Sequence, residues 1–233
     1  MLKNFILGIL LTTSFVGVHH AHAGDTSPLL TADFQSRHVV KIDAGDFHFK
    51  PGQIAPIHTH EAPAIGYVVE GSILYQVEGE DPQLLKAGDA FYEPVGPRIL
   101  RFDNASLTDE AVFIDFNLQQ AGEPFIVFEK ELTENIDRRT LPTSVLSPAI
   151  DTNGADVQVH ALQSGETEKL TRQAPVLGYV ASGTIELRVP GKLTRRIEAN
   201  GTFHKELNEV GAVLVNTDPS KPAKIITFAL RKS

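Results

Sequence analysis

The feature that most constrains the fold of this chain is an internal repeat. When the sequence is shifted by 112 residues, residues 33–118 align with residues 145–230 without a gap. The shared positions are mostly turn glycines and apolar residues. They include Gly66-Tyr67-Val68 with Gly178-Tyr179-Val180, Gly71 with Gly183, Phe91 with Phe203, Asn104 with Asn216 and Phe116 with Phe228. Because one framework of turns and core positions occurs twice, the sequence predicts two similar domains in one chain.

Each half of the repeat consists of short apolar runs separated by turn residues. Ile65–Val69 and Ser72–Val77, for example, flank the turn at Glu70-Gly71, and few segments have a helical period. Many short runs at this spacing predict an all-β sandwich or barrel. The predicted segments are a leader at 1–23, a first barrel at 24–118, a link at 119–144 with a possible extra strand at Phe125–Phe128, and a second barrel at 145–233.

The composition excludes several kinds of function. The chain has 233 residues, of which 42% are hydrophobic, so it can bury a core. Its formal net charge of −8 argues against nucleic acid or an anionic membrane as a partner. It contains no cysteine, which excludes disulfides, thiolate catalysis and cysteine metal sites. The expected partner is a small-molecule ligand or substrate, and the expected state is a monomer or weak homodimer.

The first 23 residues resemble a secretory signal peptide. Lys3 supplies a positive start, Phe5–Val18 is an apolar stretch too short for a typical spanning helix, and Ala21-His22-Ala23 is a small-x-small cleavage site. The mature chain is therefore expected to begin at Gly24 and to be periplasmic or secreted. The alternative is that the segment is retained as a membrane anchor.

The strongest indication of chemistry is the sequence His58-Thr59-His60. Side chains at positions i and i+2 of a β-strand point to the same face. Both imidazoles should therefore face one way, and imidazole nitrogens are common ligands of transition metals. The alternative is that the two histidines are half-buried and remain from an ancestral metal site.

Two imidazoles need a third ligand to make an ordinary metal site. Glu93 is the best candidate, because it shares strand parity with Phe91, a position whose repeat counterpart Phe203 is also aromatic. Two histidines and one carboxylate suit iron(II), manganese or zinc, and nickel is a further possibility. The alternative is that Glu93 lies at a strand end in solvent.

Two groups of residues have a recognisable spacing. They are Gly52, His58-Thr59-His60 and Gly71 in the first, and Gly88-Asp89, Pro94, Gly96 and Asn104 in the second. They resemble the two motifs of the cupin superfamily, and the resemblance implies a double-stranded β-helix barrel with a metal or ligand site inside. The family's usual glutamate and third histidine fall here on Ala64 and Ile99, so only two of its four ligands remain.

The second half of the repeat lacks the family's ligands altogether. The positions of His58 and His60 become Leu170 and Arg172. The resemblance is thus to a bicupin whose C-terminal barrel is degenerate, with an interior that is packed or lined by a fixed cation at Arg172. Any chemistry is expected in the N-terminal barrel.

Tyr92 and Arg98 are candidate substrate-binding residues. Tyr92 is not repeated, since its counterpart is His204, and Arg98 could hold a carboxylate by a bidentate contact or be an ordinary surface arginine. No catalytic residue can be named from the sequence. One hypothesis is a metal-dependent enzyme such as a dioxygenase, isomerase, decarboxylase or lyase; the other is a non-catalytic small-molecule-binding protein with a vestigial metal site.

Overall fold

A computed structural model describes residues 27–132, 135–142, 144–171 and 174–232. The predicted signal peptide and Arg172 lie outside these residues. Within them the chain forms eighteen β-strands and no helix, which confirms the all-β prediction. No helix there could cross a membrane.

The strands of the N-terminal half, β1 to β10, begin with one long strand and end with two short ones. They are β1 Leu30–Phe49, β2 His58–Thr59, β3 Ala64–Glu70, β4 Ser72–Val77, β5 Gln83–Lys86, β6 Ala90–Glu93, β7 Ile99–Asn104, β8 Ala111–Gln119, β9 Val127–Phe128 and β10 Asp137–Thr140.

The strands of the C-terminal half, β11 to β18, follow the same order. They are β11 Ser144–Leu162, β12 Thr167–Lys169, β13 Val176–Ser182, β14 Thr184–Arg188, β15 Arg195–Glu198, β16 Thr202–Lys205, β17 Val213–Asn216 and β18 Ala223–Lys232. Strands β13, β15 and β16 match β3, β5 and β6 residue for residue at the 112-residue offset. The repeat seen in the sequence is therefore a repeat of strands.

One nine-stranded sheet runs through both halves. Its order is β16-β13-β18-β11-β1-β8-β3-β6, with β10 paired to the side of β1. The join is the antiparallel pair of β1 with β11, in which Leu30 lies opposite Val157 and Ile42 opposite Ser144. Because strands of both halves share this sheet, the division into two barrels at 118 and 145 stays a prediction.

Each half of the long sheet faces a smaller sheet of its own. The order β5-β4-β7-β2-β9 belongs to the N-terminal half and β12-β17-β14-β15 to the C-terminal half. The apolar side chains between the sheets form an N-terminal core, which includes Phe49, Ile73, Phe91, Phe102 and Phe113, and a C-terminal core, which includes Val180, Ile185, Leu187, Leu214 and Ile225.

A third core joins the two halves. It includes Ile65, Tyr67, Phe116, Tyr179 and Phe228, and the rings of Phe116 and Phe228 lie 4.7 Å apart. Strand β8 contributes to two of these cores and is buried along its whole length. Its alternate residues face the N-terminal core and the core between the halves, as the period of two in a strand requires.

Glycines permit two close approaches that recur in both halves. A Cβ atom at Gly66 would lie 2.1 Å from the Phe91 ring, and one at Gly178 would lie 2.0 Å from the Phe203 ring. Only a residue without a side chain leaves room for these rings to cover the neighbouring strand. This explains why the glycine and the phenylalanine are repeated together.

The link between the halves folds back on the N-terminal half. Strand β9 pairs with β2, and β10 pairs with β1. The possible extra strand at Phe125–Phe128 is confined to Val127–Phe128 and pairs with β2, because His58 and Thr59 offer it an open strand edge.

Candidate metal centre and its cavity

A cavity of about 190 Å³ opens inside the N-terminal half. Six phenylalanines line it: Phe47, Phe49, Phe102, Phe113, Phe125 and Phe128. The polar groups that reach it are His58, His60, Glu93, Asp115 and Arg138. The link supplies several of the lining residues, so the cavity is closed by a segment outside the repeated framework.

The two histidines are held by main-chain carbonyl oxygens. His58 Nδ1 lies 2.8 Å from the oxygen of Pro56, and His60 Nδ1 lies 3.1 Å from the oxygen of Phe125. A carbonyl oxygen can only accept, so each Nδ1 donates a hydrogen. In a neutral imidazole this leaves the lone pair on Nε2, which is the arrangement that metal-binding histidines require.

Glu93 meets both free nitrogens. Its Oε1 lies 3.5 Å from His58 Nε2, and its Oε2 lies 3.4 Å from His60 Nε2. One ligand atom from each of the three residues falls within 4.8 Å of the others, and all three side chains are buried. The parity argument from Phe91 thus correctly placed Glu93 inside; its role as a ligand stays a prediction.

The electrostatics of this cluster favour an ionised carboxylate. Burial alone raises the pKa of Glu93, but its electrostatic interactions with His60 and His58 outweigh that effect and lower the pKa to about 2. A carboxylate that stays ionised in a buried position is available to bind a cation.

The donor set fits a divalent metal ion. His60 Nε2 and Glu93 Oε1 are buried, and neither has a hydrogen-bond partner among the described residues. Unsatisfied buried polar atoms are costly, and a cation would satisfy both at once. Two imidazole nitrogens and one carboxylate are the donors preferred by iron(II), manganese and zinc.

The position of Glu93 explains one departure from the cupin pattern. Ala64, where the resemblance expects a glutamate, lies directly opposite Glu93 in the pairing of β3 with β6. Side chains at such paired positions lie close together on one face. The carboxylate therefore enters the same region from the neighbouring strand. Ile99, at the missing histidine position, is fully buried and pairs with His58.

Sequence reasoning missed Asp115, on β8. The residue is 3% exposed, and its Oδ1 is buried without a hydrogen-bond partner among the described residues. Burial is the largest effect and raises its pKa well above the ordinary value; Glu93 adds to this rise, whereas His60 and Arg138 oppose it. The sequence feature that could have identified Asp115 is that it is the one charged residue in the apolar run Ala111–Leu118. Its counterpart in the second repeat is Thr227.

Arg138, on β10, was missed because it belongs to the link. Its guanidinium carbon lies 4.0 Å from the centre of the Phe125 ring, and Nη2 donates to Asp43 at 3.2 Å. Its Nε is buried without a partner among the described residues. No repeat or motif covers this part of the chain, so only the fold could place it in the cavity.

Neither Tyr92 nor Arg98 is among the residues that line this cavity, and their role in substrate binding stays a prediction. Tyr92 alternates with Glu93 along β6, so its ring faces the core between the halves and packs against Phe34, at a centroid distance of 6.3 Å. Arg98 lies near the surface, where Nη2 donates to Glu129 at 3.0 Å and Nη1 to Glu78 at 3.2 Å.

The corresponding region of the C-terminal half has different chemistry. Leu170 and Lys205 are buried at the positions of His58 and Glu93, and Lys205 Nζ donates to the oxygen of Ala174 at 3.0 Å. Within the described part of the chain, the only group of three histidine or acidic ligands close enough for a metal is that of the N-terminal half.

Comparisons with known proteins agree with this fold. The family model described as a cupin domain matches residues 45–117. AerE from Microcystis aeruginosa superposes with a TM-score of 0.57 at 12% identity, over 88% of this chain and all of AerE. Salicylate 1,2-dioxygenase from Pseudoaminobacter salicylatoxidans, in its adducts with gentisate, superposes with a TM-score of 0.54 at 15% identity. The match covers 82% of this chain and 68% of the dioxygenase chain. No curated protein matches. Residues 45–117 are thus similar to a cupin domain, and the chain has the fold of these two proteins.

Proposed function

We propose that this protein binds one divalent metal ion at His58, His60 and Glu93 and uses it to act on a small oxygenated molecule. The observation that supports the proposal is the convergence of the three ligand atoms, within 4.8 Å, in a buried cavity. Each histidine is already held in the tautomer that leaves Nε2 free.

The residues of the cavity suit that role. A divalent metal there would polarise a bound oxygen atom or activate water or dioxygen. His58 and His60 supply neutral nitrogen donors, and Glu93 supplies a negative charge. The phenylalanine walls exclude bulk water and leave room for a small molecule, since an apolar cavity of roughly 150 Å³ can hold benzene. No residue is assigned as a general base.

Among the reactions open to such a site, dioxygenation is the first to test. The structural neighbours include a salicylate 1,2-dioxygenase, whose structure holds gentisate adducts. That likeness supports the fold, and only the donor set of this chain connects it to oxygen chemistry. Isomerase and lyase reactions use similar sites and are tested next.

The alternative is a non-catalytic binding protein. It is favoured by the loss of two of the four usual ligands, at Ala64 and Ile99. In that case the cavity would bind a small molecule, and the three remaining donors would be a vestigial or purely structural group. Ligand binding without turnover would distinguish this function from an enzyme.

We also propose that the chain is exported and acts as a monomer in the periplasm or outside the cell. The apolar stretch Phe5–Val18 and the small residues at Ala21-His22-Ala23 support export. The extensive core between the halves supports the monomer, because it satisfies within one chain a surface that could otherwise bind a second copy. N-terminal sequencing of the protein from its native host tests export, with Gly24 as the expected first residue.

The decisive experiment for the main proposal is elemental analysis of the purified protein, made without a histidine tag or chelators. We expect about one iron, manganese, zinc or nickel ion per chain, and none in the His58→Ala/His60→Ala double variant. The control is His38→Ala, since His38 is exposed and pairs with Asp151. Metal that persists in the double variant would refute the site.

Turnover is then measured on the metal-loaded protein. Oxygen consumption with small phenolic acids, absent in the double variant, is the result expected of a dioxygenase. Thermal stabilisation by the same compounds without any product, in this and in isomerase and lyase assays, would favour the binding protein.

A further inference from the structure

The cavity contains two further polar residues whose role the metal site does not explain. Asp115 and Arg138 both line it, on different elements, and neither is among the three metal donors. Oδ1 of Asp115 and Nε of Arg138 are both buried without a hydrogen-bond partner among the described residues. Two such groups in one apolar cavity call for a ligand that pairs with them.

Strand pairing puts these two residues on one face of the sheet. Phe47 pairs with Arg138 on one side and with Phe113 on the other. Residues opposite each other in paired strands share a face, and Asp115 is two residues from Phe113, so Asp115 and Arg138 both point into the cavity.

Gly45 leaves space for the Arg138 side chain to approach Asp115. It lies directly opposite Asp115 in the pairing of β1 with β8. A Cβ atom at Gly45 would lie 2.9 Å from Nε of Arg138 and 2.4 Å from the Phe47 ring. The arginine therefore extends across β1 toward Asp115 only because position 45 has no side chain. The guanidinium is close enough to lower the pKa of the Asp115 carboxyl, against the larger effect of burial.

The cavity has room for a ligand between this pair and the metal donors. Asp115 lies on β8 and Glu93 on β6, with β3 between them, so their backbones are about 10 Å apart. The cavity volume of about 190 Å³ is enough for a ring-sized molecule.

We propose that Arg138 and Asp115 form a carboxylate-binding subsite, so that the molecule this cavity takes is a small organic acid with an apolar, ring-sized body. A guanidinium with a vacant N–H is the strongest carboxylate partner in a protein, and its pairing is strengthened in an apolar cavity. Burial raises the pKa of the Asp115 carboxyl, which adds a second donor when it is protonated. The inference rests on the proposed function for the rest of the ligand's contacts.

Charge supports an anion over a neutral ligand. Glu93 offsets part of the charge of a divalent metal, and Asp43 accepts from Arg138 while also pairing with Lys41 at 3.0 Å. The cavity and its metal would together keep a net positive charge. An anionic ligand would neutralise it, because unpaired charge is costly away from water.

The test compares two probes of nearly equal shape, benzoate and benzamide, by calorimetry on the metal-free and the metal-loaded protein. We expect wild type to bind benzoate at least about tenfold more tightly than benzamide in both forms, a difference of about 1.4 kcal/mol. In Arg138→Gln we expect this preference to disappear while the metal content stays at the wild-type value. Arg139→Gln is the matched control, because Arg139 is the next residue of β10 and is 59% exposed.

A second variant tests Asp115. Asp115→Asn keeps the shape and a donor, so benzoate binding should stay within about threefold of wild type. Benzoate binding that becomes tenfold tighter in this variant would show that Asp115 repels anions, and would overturn its place in the subsite.

Failure of this inference can be told from failure of the metal proposal. Wild type that holds metal but binds benzoate no better than benzamide, or binds neither, overturns the carboxylate subsite alone. Benzoate binding that depends on Arg138 in a protein that holds no metal supports the subsite and overturns the metal proposal alone.

Discussion

His58 and His60 define the site because each imidazole ring is held at Nδ1 by a main-chain carbonyl oxygen. The carbonyl oxygens of Pro56 and Phe125 accept from the two Nδ1 atoms, and both Nε2 atoms then face Glu93. Preorganisation of this kind lowers the cost of binding an ion, because the rings need not be ordered at that moment.

Replacement of Glu93 tests its role as a metal ligand. We expect Glu93→Gln to weaken metal binding by more than about 100-fold, a larger effect than that of residues that only orient ligands. Isothermal titration with zinc or manganese measures it. Glu78→Gln, at a half-exposed glutamate outside the cavity, serves as the control and should bind metal as wild type does.

The same variant gives a pH-dependent stability difference. The folded pKa of Glu93, about 2, lies below the unfolded value of about 4.3. Its ionised form thus stabilises the metal-free fold above the unfolded pKa, and this contribution is lost as pH falls toward 2. Urea denaturation should show that Glu93→Gln is less stable than wild type at pH 7. This difference in the free energy of unfolding should become smaller as the pH falls. An unchanged gap at pH 2–3 would contradict the assignment.

Metal binding should depend on pH through the histidines. Glu93, with a pKa of about 2, is ionised throughout the neutral range, so it does not limit binding. Protons compete with the metal for the two imidazole nitrogens, so the metal affinity should fall as the solution is made more acidic. Potentiometric or calorimetric titration in several buffers checks this; a flat profile would exclude histidine ligands.

How far single residues could be predicted depended on strand parity. The spacing of His58 and His60, and the parity of Glu93 with Phe91, correctly indicated inward-facing side chains. By the same parity, the Tyr92 side chain points to the opposite face of β6 from Glu93, toward the core between the halves. Asp115 and Arg138 depend on pairings with β1 that no local pattern in the sequence reveals.

Among the elements, strand β8 and the link act together on the metal site. Asn117, on β8, donates to the oxygens of Phe125 at 3.2 Å and Ala62 at 3.3 Å. The Phe125 oxygen is also the acceptor that holds His60. Asn117 is thus a positioning residue, since it fixes the carbonyl that orients a metal ligand.

We expect Asn117→Ala to weaken metal binding by about 10–100-fold, the usual effect of losing a group that orients a ligand. The control is Asn216→Ala, which removes a buried asparagine bonded to Leu162 and Lys221 in the other half. Both variants should lower the melting temperature, whereas only Asn117→Ala should change the affinity measured by metal titration. Equal affinities in the two variants would refute the positioning role.

The elements themselves were largely predictable, except in the link. Alternating apolar runs and turn glycines indicated the strands of both repeats. The link has no repeat counterpart, and its short strands β9 and β10 form only because β2 and β1 offer them edges. Tertiary pairing of this kind leaves little trace in a local sequence pattern.

At the scale of the whole molecule, the two repeats have the same framework and different interiors. The N-terminal half holds the three candidate ligands, whereas Leu170 and Lys205 occupy two of the corresponding positions in the C-terminal half. The shared sheet and the core between the halves make the C-terminal half a support for the other. The 112-residue repeat predicted the shared framework, and the loss of histidines in the second copy predicted the different interior, whereas the sheet common to both halves was not predicted.

The core between the halves should contribute strongly to stability. Phe228 is 1% exposed and packs against Phe116 from the other half. We expect Phe228→Ala to lower the free energy of unfolding by about 3–5 kcal/mol, as for other buried phenylalanines. Leu193→Ala, at a residue that is 91% exposed, should change it by less than about 0.5 kcal/mol. Urea denaturation followed by circular dichroism measures both, and equal values would contradict the shared core.

The most direct test of the central claim is anomalous diffraction from crystals of the zinc- or manganese-loaded protein, collected on both sides of the metal's absorption edge. We predict one strong peak per chain, bounded by His58 Nε2, His60 Nε2 and the Glu93 carboxylate. A peak at any other place, or no peak in crystals grown with excess metal, would contradict the account.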